Sequence, residues 1–163
     1  MLTRKRSGKE VGSFVGTFWG IPLPVPGSPN DPREAGAVLD LFSATEEAVA
    51  HLPMPATSWK ASGDGRVFRF LNPKAPNATS PVASATLNFR RRRIKIDSRA
   101  VGLALAGPQT AVGVRLTVGS SRYGVVYRRP NFRRDLVDQV VAAGYSTPPL
   151  DCADKRMRFA LEH

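Results

Sequence analysis

Apolar and polar residues alternate over two neighbouring parts of the chain with the period of a β-strand. Apolar side chains occupy every second position from 112 to 118, and the alternation resumes over 123–127 after a Gly-Ser-Ser segment at 119–121. A period of two is typical of a strand with one buried face, and small polar residues between two such strands form a turn. The pattern therefore predicts an antiparallel hairpin over 112–127.

Other parts of the chain carry strand signals that are less regular. Residues 11–20 and 66–71 are rich in β-branched and aromatic residues, and each run ends close to a proline. Apolar residues also alternate over 83–89 and over 94–96. With the hairpin, these runs predict a mainly antiparallel sheet of about five to six strands.

The apolar positions change parity inside a run of four consecutive arginines, Arg90 to Arg93. Apolar residues lie at odd positions over 83–89 and at even positions over 94–96. Side chains alternate between the two faces of a strand, so one uninterrupted strand cannot bury both sets. The chain must therefore form a β-bulge or the tip of a hairpin at the arginines. We favour the hairpin tip, because it lets four charges reach solvent.

Two further segments have the sequence signals of amphipathic helices. Asp31 is suited to cap a helix and Pro32 to its first position, and the apolar residues that follow fall on one helical face. Asn131 precedes a second apolar face in the same way. These signals predict two main helices, over about 32–52 and about 132–143, and hence a single α+β domain.

Composition sets limits on the domain organisation. The 163 residues suit one domain, and 42% hydrophobic with 23% charged residues are ordinary values for a globular protein. We expect this domain over 11–159, after a flexible basic arm at 1–10. The last residues, 161–163, are interpreted as the remnant of an affinity tag.

Cysteine usage and hydropathy bear on the compartment. Cys152 is the only cysteine, which excludes an internal disulfide. No run of about 18 apolar residues occurs, so no membrane span is predicted. The opening residues lack an apolar stretch of signal-peptide length, and a cytoplasmic location is the expectation. The oligomeric state is left open.

Few residues suit catalysis or metal binding. Apart from His163 in the tag remnant, His51 is the only histidine. Acid/base chemistry at neutral pH mostly uses His, and metal sites need several ligands close together, so we predict no catalytic residue, no metal site and no cofactor. Asp64, Lys95 and Asp97 are the one grouping to consider for a metal-dependent nuclease, but Asp97 follows the lysine where such a site needs it to precede. An enzyme is therefore the less favoured interpretation.

Positive charge is the strongest functional signal. Lys and Arg number 24 against 13 Asp and Glu, which gives a formal net charge of +11. Guanidinium groups bind phosphate in a bidentate manner and a helix N-terminus attracts anions, so arginines at a hairpin tip and at the start of the second helix favour a phosphate ligand. We predict a domain that binds the phosphate backbone of DNA or RNA with little sequence specificity, through Arg90, Arg91, Arg92, Arg93, Lys95, Arg122, Arg128, Arg129, Arg133 and Arg134.

A second hypothesis is a non-catalytic protein-interaction module of a larger assembly. The Pro-spaced segment 21–26 and an exposed strand edge could dock a protein, including an acidic one, and charge runs are often only solvated surface. One continuous basic face would favour nucleic acid, whereas arginines scattered over opposite faces would favour the protein partner. Phe89, Tyr123 and Tyr127 lie near the charges, and strand alternation favours their burial over stacking on bases.

Overall fold

The protein is a β-sandwich of two antiparallel sheets. The computed structural model describes residues 2–6, 9–17, 23–43, 50–77, 79–99, 111–128, 132–136 and 139–142. A four-residue helix, α1 (Pro32–Ala35), and a 3-10 turn (Ala56–Ser58) are the helical elements of these residues. The strands are β1 (Leu2–Arg6), β2 (Lys9–Thr17), β3 (Ala37–Ser43), β4 (Ala50–Met54), β5 (Trp59–Ala61), β6 (Val67–Leu71), β7 (Val82–Asn88), β8 (Arg93–Arg99), β9 (Ala111–Val118), β10 (Ser121–Arg128), β11 (Phe132–Leu136) and β12 (Gln139–Ala142).

The two sheets differ in size. Eight strands form the large sheet in the order β11-β12-β1-β2-β8-β7-β6-β5, and four form the small sheet in the order β10-β9-β3-β4. Most paired strands follow one another along the chain. The pairings of β1 with β12, of β2 with β8 and of β3 with β9 are instead long-range, and they join hairpins that are far apart in sequence.

One hydrophobic core lies between the sheets. Phe14, Phe68 and Ile96 of the large sheet and Leu39 and Leu116 of the small sheet are all buried in the same cluster. Alternate residues of the strands around this core supply it, as Phe68 and Phe70 of β6 and Ile94 and Ile96 of β8 do, so the residues between them lie on the outer faces of the sandwich. Any site on these outer faces is therefore built from every second residue of several strands.

The helix predicted over 32–52 is wrong beyond its first turn. Asp31 caps α1 as expected, because its Oδ1 accepts a hydrogen bond from the backbone N–H two residues later at 2.9 Å. Gly36 then adopts φ +68°, a left-handed conformation that ends the helix. The chain continues as the antiparallel pair β3 and β4. Leu39 and Leu41, one strand period apart in β3, both enter the core.

The second predicted helix, over 132–143, is also wrong. Phe132–Leu136 and Gln139–Ala142 are strands β11 and β12, which pair with each other, and β12 pairs further with β1. The described chain is therefore mostly antiparallel sheet, and the predicted α+β class is replaced by a two-sheet sandwich. The strand count also exceeds the predicted five to six, since twelve strands are present in the described residues.

The structure describes only part of the two chain ends. The segment 1–10, expected to be a flexible arm, contains β1 and the start of β2. Cys152 and the tag remnant at 161–163 lie outside the described residues. No helix in the described part of the chain is long and apolar enough to cross a membrane.

The two predicted hairpins are confirmed. β9 and β10 pair along their whole lengths, from Val118 opposite Ser121 to Ala111 opposite Arg128. β7 and β8 also pair, and residues 89–92 between them form a turn, which we call the arginine turn. This turn brings the odd-numbered apolar residues of β7 and the even-numbered ones of β8 to the same core.

Asp31 is buried and holds the loop that leads from the large sheet to the small one. Its carboxylate accepts a hydrogen bond from the Gly27 N–H at 2.9 Å, and its Oδ2 lies 2.5 Å from Nη2 of Arg33. Next to it, Asn30 Oδ1 accepts a hydrogen bond from the Ser120 N–H at 2.9 Å, at the tip of the β9–β10 hairpin. The loop is thereby attached both to α1 and to the small sheet.

An Asp31→Asn variant is expected to lose about 2 kcal/mol of unfolding free energy at neutral pH, because a charged, buried acceptor is replaced by a neutral one. The hydrogen bonds from the Arg33 side chain outweigh the opposing effect of burial, and backbone N–H donors add to them, so the pKa of Asp31 falls to about 2. A carboxyl whose pKa is lowered by folding stabilises the protein above its unfolded-state pKa of about 3.9, and loses this effect as the pH falls through its folded-state value.

The difference between wild type and Asp31→Asn should therefore narrow to about half near pH 3. Urea unfolding of both proteins at neutral pH and at about pH 3 measures this difference. A gap of equal size at both pH values would show that the charge of Asp31 does not contribute.

Candidate functional site

A row of cations crosses the outer face of the large sheet. Lys60 on β5 lies opposite Arg69 on β6, Arg69 lies opposite Thr86 on β7, and Thr86 lies opposite Lys95 on β8. The three cationic side chains are exposed, because core residues occupy the adjacent positions of each strand. Neighbouring strands are about 4.8 Å apart, so the three steps from β5 to β8 separate Lys60 from Lys95 by about 14 Å.

The cations also extend along β8. Arg93, Lys95 and Arg99 lie at alternate, exposed positions of this strand, on the same outer face. We call Lys60, Arg69, Arg93, Lys95 and Arg99 the basic face. Within the described residues, Lys95 is the only member of the basic face that forms an ion pair.

Asp97 is the carboxylate that pairs with the basic face. Its Oδ1 accepts a hydrogen bond from Ser13 Oγ at 2.9 Å, and its Oδ2 lies 3.3 Å from Ser84 Oγ and 2.8 Å from Lys95 Nζ. Burial opposes the ionisation of Asp97, but the hydrogen bonds from Lys95, Ser13 and Ser84 together hold its pKa below the usual value. Asp97 is therefore ionised at neutral pH and fixes the position of Lys95, while the other four cations have no carboxylate partner in the described part of the chain.

The arginine turn adjoins the basic face at Arg93. Arg90 is paired, since its Nε donates a hydrogen bond to Asp64 Oδ2 at 2.8 Å and its Nη2 contacts the same oxygen. Hydrogen bonds from the Ser62 hydroxyl and from Arg90 lower the pKa of Asp64 to about 2, so this pair is fully ionised at neutral pH. Arg91 and Arg92 are exposed in the same turn, next to Arg93 of the basic face, and the charge of Arg90 is balanced by Asp64.

Four of the five remaining predicted arginines are not brought to the basic face. Arg122 and Arg128 belong to β10, which is part of the small sheet. Arg133 and Arg134 belong to β11, the edge strand four positions from β8, a distance of about 19 Å along the sheet. Arg129 lies outside the described residues. The helix whose N-terminus was expected to attract an anion beside Arg133 and Arg134 does not form.

The aromatic residues near the charges are turned towards the core. Tyr123 and Tyr127 are buried members of the core cluster. Phe89 in the arginine turn packs against that cluster, and its ring lies edge-on to the ring of Phe68 with 6.0 Å between centroids. Among the described outward positions of the large sheet none carries an aromatic side chain. The basic face therefore offers cations without rings on which bases could stack.

A second charged cluster lies on the outer face of the small sheet. Asp40 on β3 lies opposite both His51 on β4 and Arg115 on β9. Asp40 Oδ1 lies 2.8 Å from His51 Nδ1, and Asp40 Oδ2 accepts a hydrogen bond from Arg115 Nη2 at 3.0 Å. The guanidinium of Arg115 stacks 4.8 Å over the ring of Phe42. Asp40 and Arg115 are largely buried and compensate each other, which indicates a structural role for this cluster.

The residues considered for a nuclease do not form a metal site. Asp64 is paired with Arg90 in the turn before β6, while Asp97 lies within β8 and binds Lys95. No group of three or more His, Cys, Asp or Glu side chains that could hold a metal ion occurs in the described ranges.

No protein-family model, no curated protein and no solved structure matches the chain. The function has therefore to be inferred from charge and geometry.

Three members of the basic face were not predicted from the sequence. Lys60, Arg69 and Arg99 are each separated from the arginine run by other residues, and only strand pairing brings them to one surface. The signal that could have identified them is their parity, since each lies one position away from a buried residue. Arg93 and Lys95 were predicted and belong to the basic face.

Proposed function

We propose that the protein binds nucleic acid through the phosphate backbone and that the basic face makes the contacts. The observation that carries this proposal is the direct cross-strand pairing of Lys60 with Arg69, in one row with Lys95. Arg93 and Arg99 extend the same surface along β8, and Asp97 is the single carboxylate among its described side chains. One surface thus collects five cations from three strands.

Placing two cations opposite each other has a cost in the free protein. Like charges at directly opposed positions of an antiparallel pair repel, and such pairs change stability by about 0.2–1 kcal/mol. Lys60 and Arg69 have no ion-pair partner within the described residues to offset this repulsion. A polyanion would offset it, because a phosphate between the two side chains attracts both.

The composition of the basic face favours binding without sequence specificity. Sequence is read by side chains that reach base edges, whereas cations on a flat surface contact phosphates only. Non-specific protein–DNA complexes have dissociation constants of roughly 10⁻⁴ to 10⁻⁶ M at physiological salt, and their affinity falls steeply as salt rises. We expect this range for the present protein.

Replacement of Lys60 and Arg69 by Gln should weaken binding to duplex DNA about tenfold at low salt. Each lost phosphate contact removes about 0.9 from the magnitude of the slope of log affinity against log salt, so the double variant should lose about 1.8. Fluorescence anisotropy with a labelled duplex at several salt concentrations measures both quantities. The same variant should be at least as stable as wild type, because a repulsive pair has been removed.

A variant with the same change of charge outside the basic face is the matched control. Lys74 lies exposed in the loop before β7, and Arg122 is exposed on the small sheet. Lys74→Gln/Arg122→Gln should keep the wild-type salt slope. If it weakened binding as much as Lys60→Gln/Arg69→Gln, net charge alone would explain the affinity. The proposal would fail outright if wild-type protein showed no salt-dependent binding to DNA or RNA.

A protein-interaction module is the second candidate function. Val25 is 67% exposed and Leu23 is 40% exposed, on either side of the buried Pro24 in the Pro-spaced segment. The residue that follows this segment, Gly27, is bonded to Asp31 through its backbone N–H, so the segment ends at a fixed point of the loop. We propose this role only in the absence of nucleic-acid binding, and a Val25→Asp variant that loses a partner bound by wild type would support it.

A further inference from the structure

We infer that the basic face is shaped for a duplex and not for a single strand, an inference that rests on the proposed binding of nucleic acid. The cations are spread in two directions. Lys60, Arg69 and Lys95 lie across the strands, over about 14 Å, and Arg93, Lys95 and Arg99 lie along β8, over about 20 Å. A single phosphate backbone follows one line and can use only part of such a surface.

A duplex presents two phosphate backbones on either side of a groove. The major groove is about 12 Å wide, close to the distance of about 14 Å between the positions of Lys60 and Lys95. The cations of β8 can therefore follow one backbone while Lys60 and Arg69 contact the other. Long, exposed Lys and Arg side chains can adjust over the remaining difference.

The outward residues that the structure describes on the large sheet point in the same direction. Proteins that bind single strands commonly stack unpaired bases on aromatic rings. Phe89, Tyr123 and Tyr127 instead pack in or against the core, and none of the described outward residues of the large sheet is aromatic. Unpaired bases thus find no ring on the described part of this surface.

Charge density decides between the two ligands when only phosphates are contacted. A duplex carries one charge for about every 1.7 Å of its length, twice the density of one of its strands. With no stacking contribution from the described residues of the large sheet, affinity follows the number of phosphates in reach of the five cations. The duplex should consequently bind more tightly than either of its strands at equal length and salt.

The test compares one duplex DNA of about 20 base pairs with each of its single strands, on the full chain, at about 50 mM and about 200 mM salt. Wild type is expected to bind the duplex at least about tenfold more tightly at the lower salt. Lys60→Gln/Arg69→Gln should weaken duplex binding about tenfold and single-strand binding less than about threefold, because a single strand can remain on β8. The matched variant Arg93→Gln/Arg99→Gln removes two cations from β8 and should weaken the binding of both the duplex and the single strand.

Two results would overturn the inference. In the first, a single strand binds as tightly as the duplex. In the second, Lys60→Gln/Arg69→Gln weakens the binding of the duplex and of the single strand by the same factor. Either result leaves the proposed function intact, since the protein still binds nucleic acid. If neither these DNA probes nor an RNA duplex and an RNA single strand of the same length bind at low salt, it is the proposed function that fails.

Discussion

An Asp40→Ala variant should lose about 3 to 5 kcal/mol of its unfolding free energy, because it leaves a buried charge without its partner. Asp40 accepts a hydrogen bond from Arg115 Nη2 at 3.0 Å, and the two side chains are only 12% and 14% exposed. Without the carboxylate, the guanidinium of Arg115 remains largely out of water with the Phe42 ring as its remaining described contact. A ring cannot replace the lost charge–charge interaction.

Replacement of both partners by apolar residues should reverse most of this loss. Buried ion pairs can often be exchanged for well-packed apolar side chains at little cost, so Asp40→Leu/Arg115→Met should be clearly more stable than Asp40→Ala. His51→Ala is the control within the cluster, since His51 is 67% exposed at its side chain, and it should cost less than about 1 kcal/mol. Urea unfolding midpoints measure all three. A double variant as unstable as Asp40→Ala would show that packing, and not the unpaired charge, dominates.

A Gly119→Ala variant should lose roughly 3 to 4 kcal/mol, through strain and a collision. Gly119 has φ +56°, and a Cβ there would lie 1.9 Å from the carbonyl oxygen of Pro29 and 2.8 Å from Asn30 Oδ1. The hairpin tip could avoid the collision only by moving away from the loop. That movement would break the hydrogen bonds that the Ser120 N–H and hydroxyl donate to Asn30 Oδ1, at 2.9 and 2.8 Å.

Two other glycines separate the contributions to this loss. Gly27 has φ +76°, but a Cβ at this position would meet nothing within 4 Å, so Gly27→Ala should show backbone strain alone, about 1 kcal/mol. Gly63 has neither strain nor a close neighbour, and Gly63→Ala should stay within about 0.5 kcal/mol of wild type. Thermal and urea unfolding of the three variants give the order. A Gly119→Ala protein no less stable than Gly27→Ala would mean that the hairpin tip does not depend on the loop.

Local patterns in the sequence predicted the hairpins correctly. Over 112–127 the alternation of apolar residues and the turn residues between them agree, and β9 and β10 form as expected. The parity change between Phe89 and Ile94 located the arginine turn, because the sheet geometry admits few ways to bury both sets of side chains. Both predictions needed only residues close together in the chain.

The helices failed because local signals were overridden by distant partners. Asp31 and Pro32 do start a helix, but it ends at Gly36, and the apolar residues that follow suit a strand as well as a helix. These residues form a strand because β3 pairs with β9, which lies more than sixty residues later in the chain. Strand propensity depends on such tertiary contacts, which one sequence does not display. The same holds for β12, whose described pairing includes β1 at the other end of the chain.

The candidate site was predicted in part for a related reason. Consecutive arginines are easily recognised in a sequence. Consecutive residues of a strand, however, point to opposite faces of the sheet, and consecutive residues of a turn do not lie on either face. Arg90 is consequently balanced by Asp64, while Lys60 and Arg69, nine residues apart, lie side by side. A surface on a sheet is assembled by register, and register becomes known only with the fold.

Lys60 has a second role because β5 is a short edge strand. β5 has three residues and forms the edge of the large sheet, with Lys60 at its centre. An open sheet edge can recruit a strand from another molecule, and short edges that carry lysine discourage this. The side chain proposed to attract phosphate would thus also keep copies of the protein from joining edge to edge. Substitutions of Lys60 are then constrained by solubility as well as by binding. A glutamate would still place a charge at the sheet edge and keep the protein soluble, but it would repel phosphate.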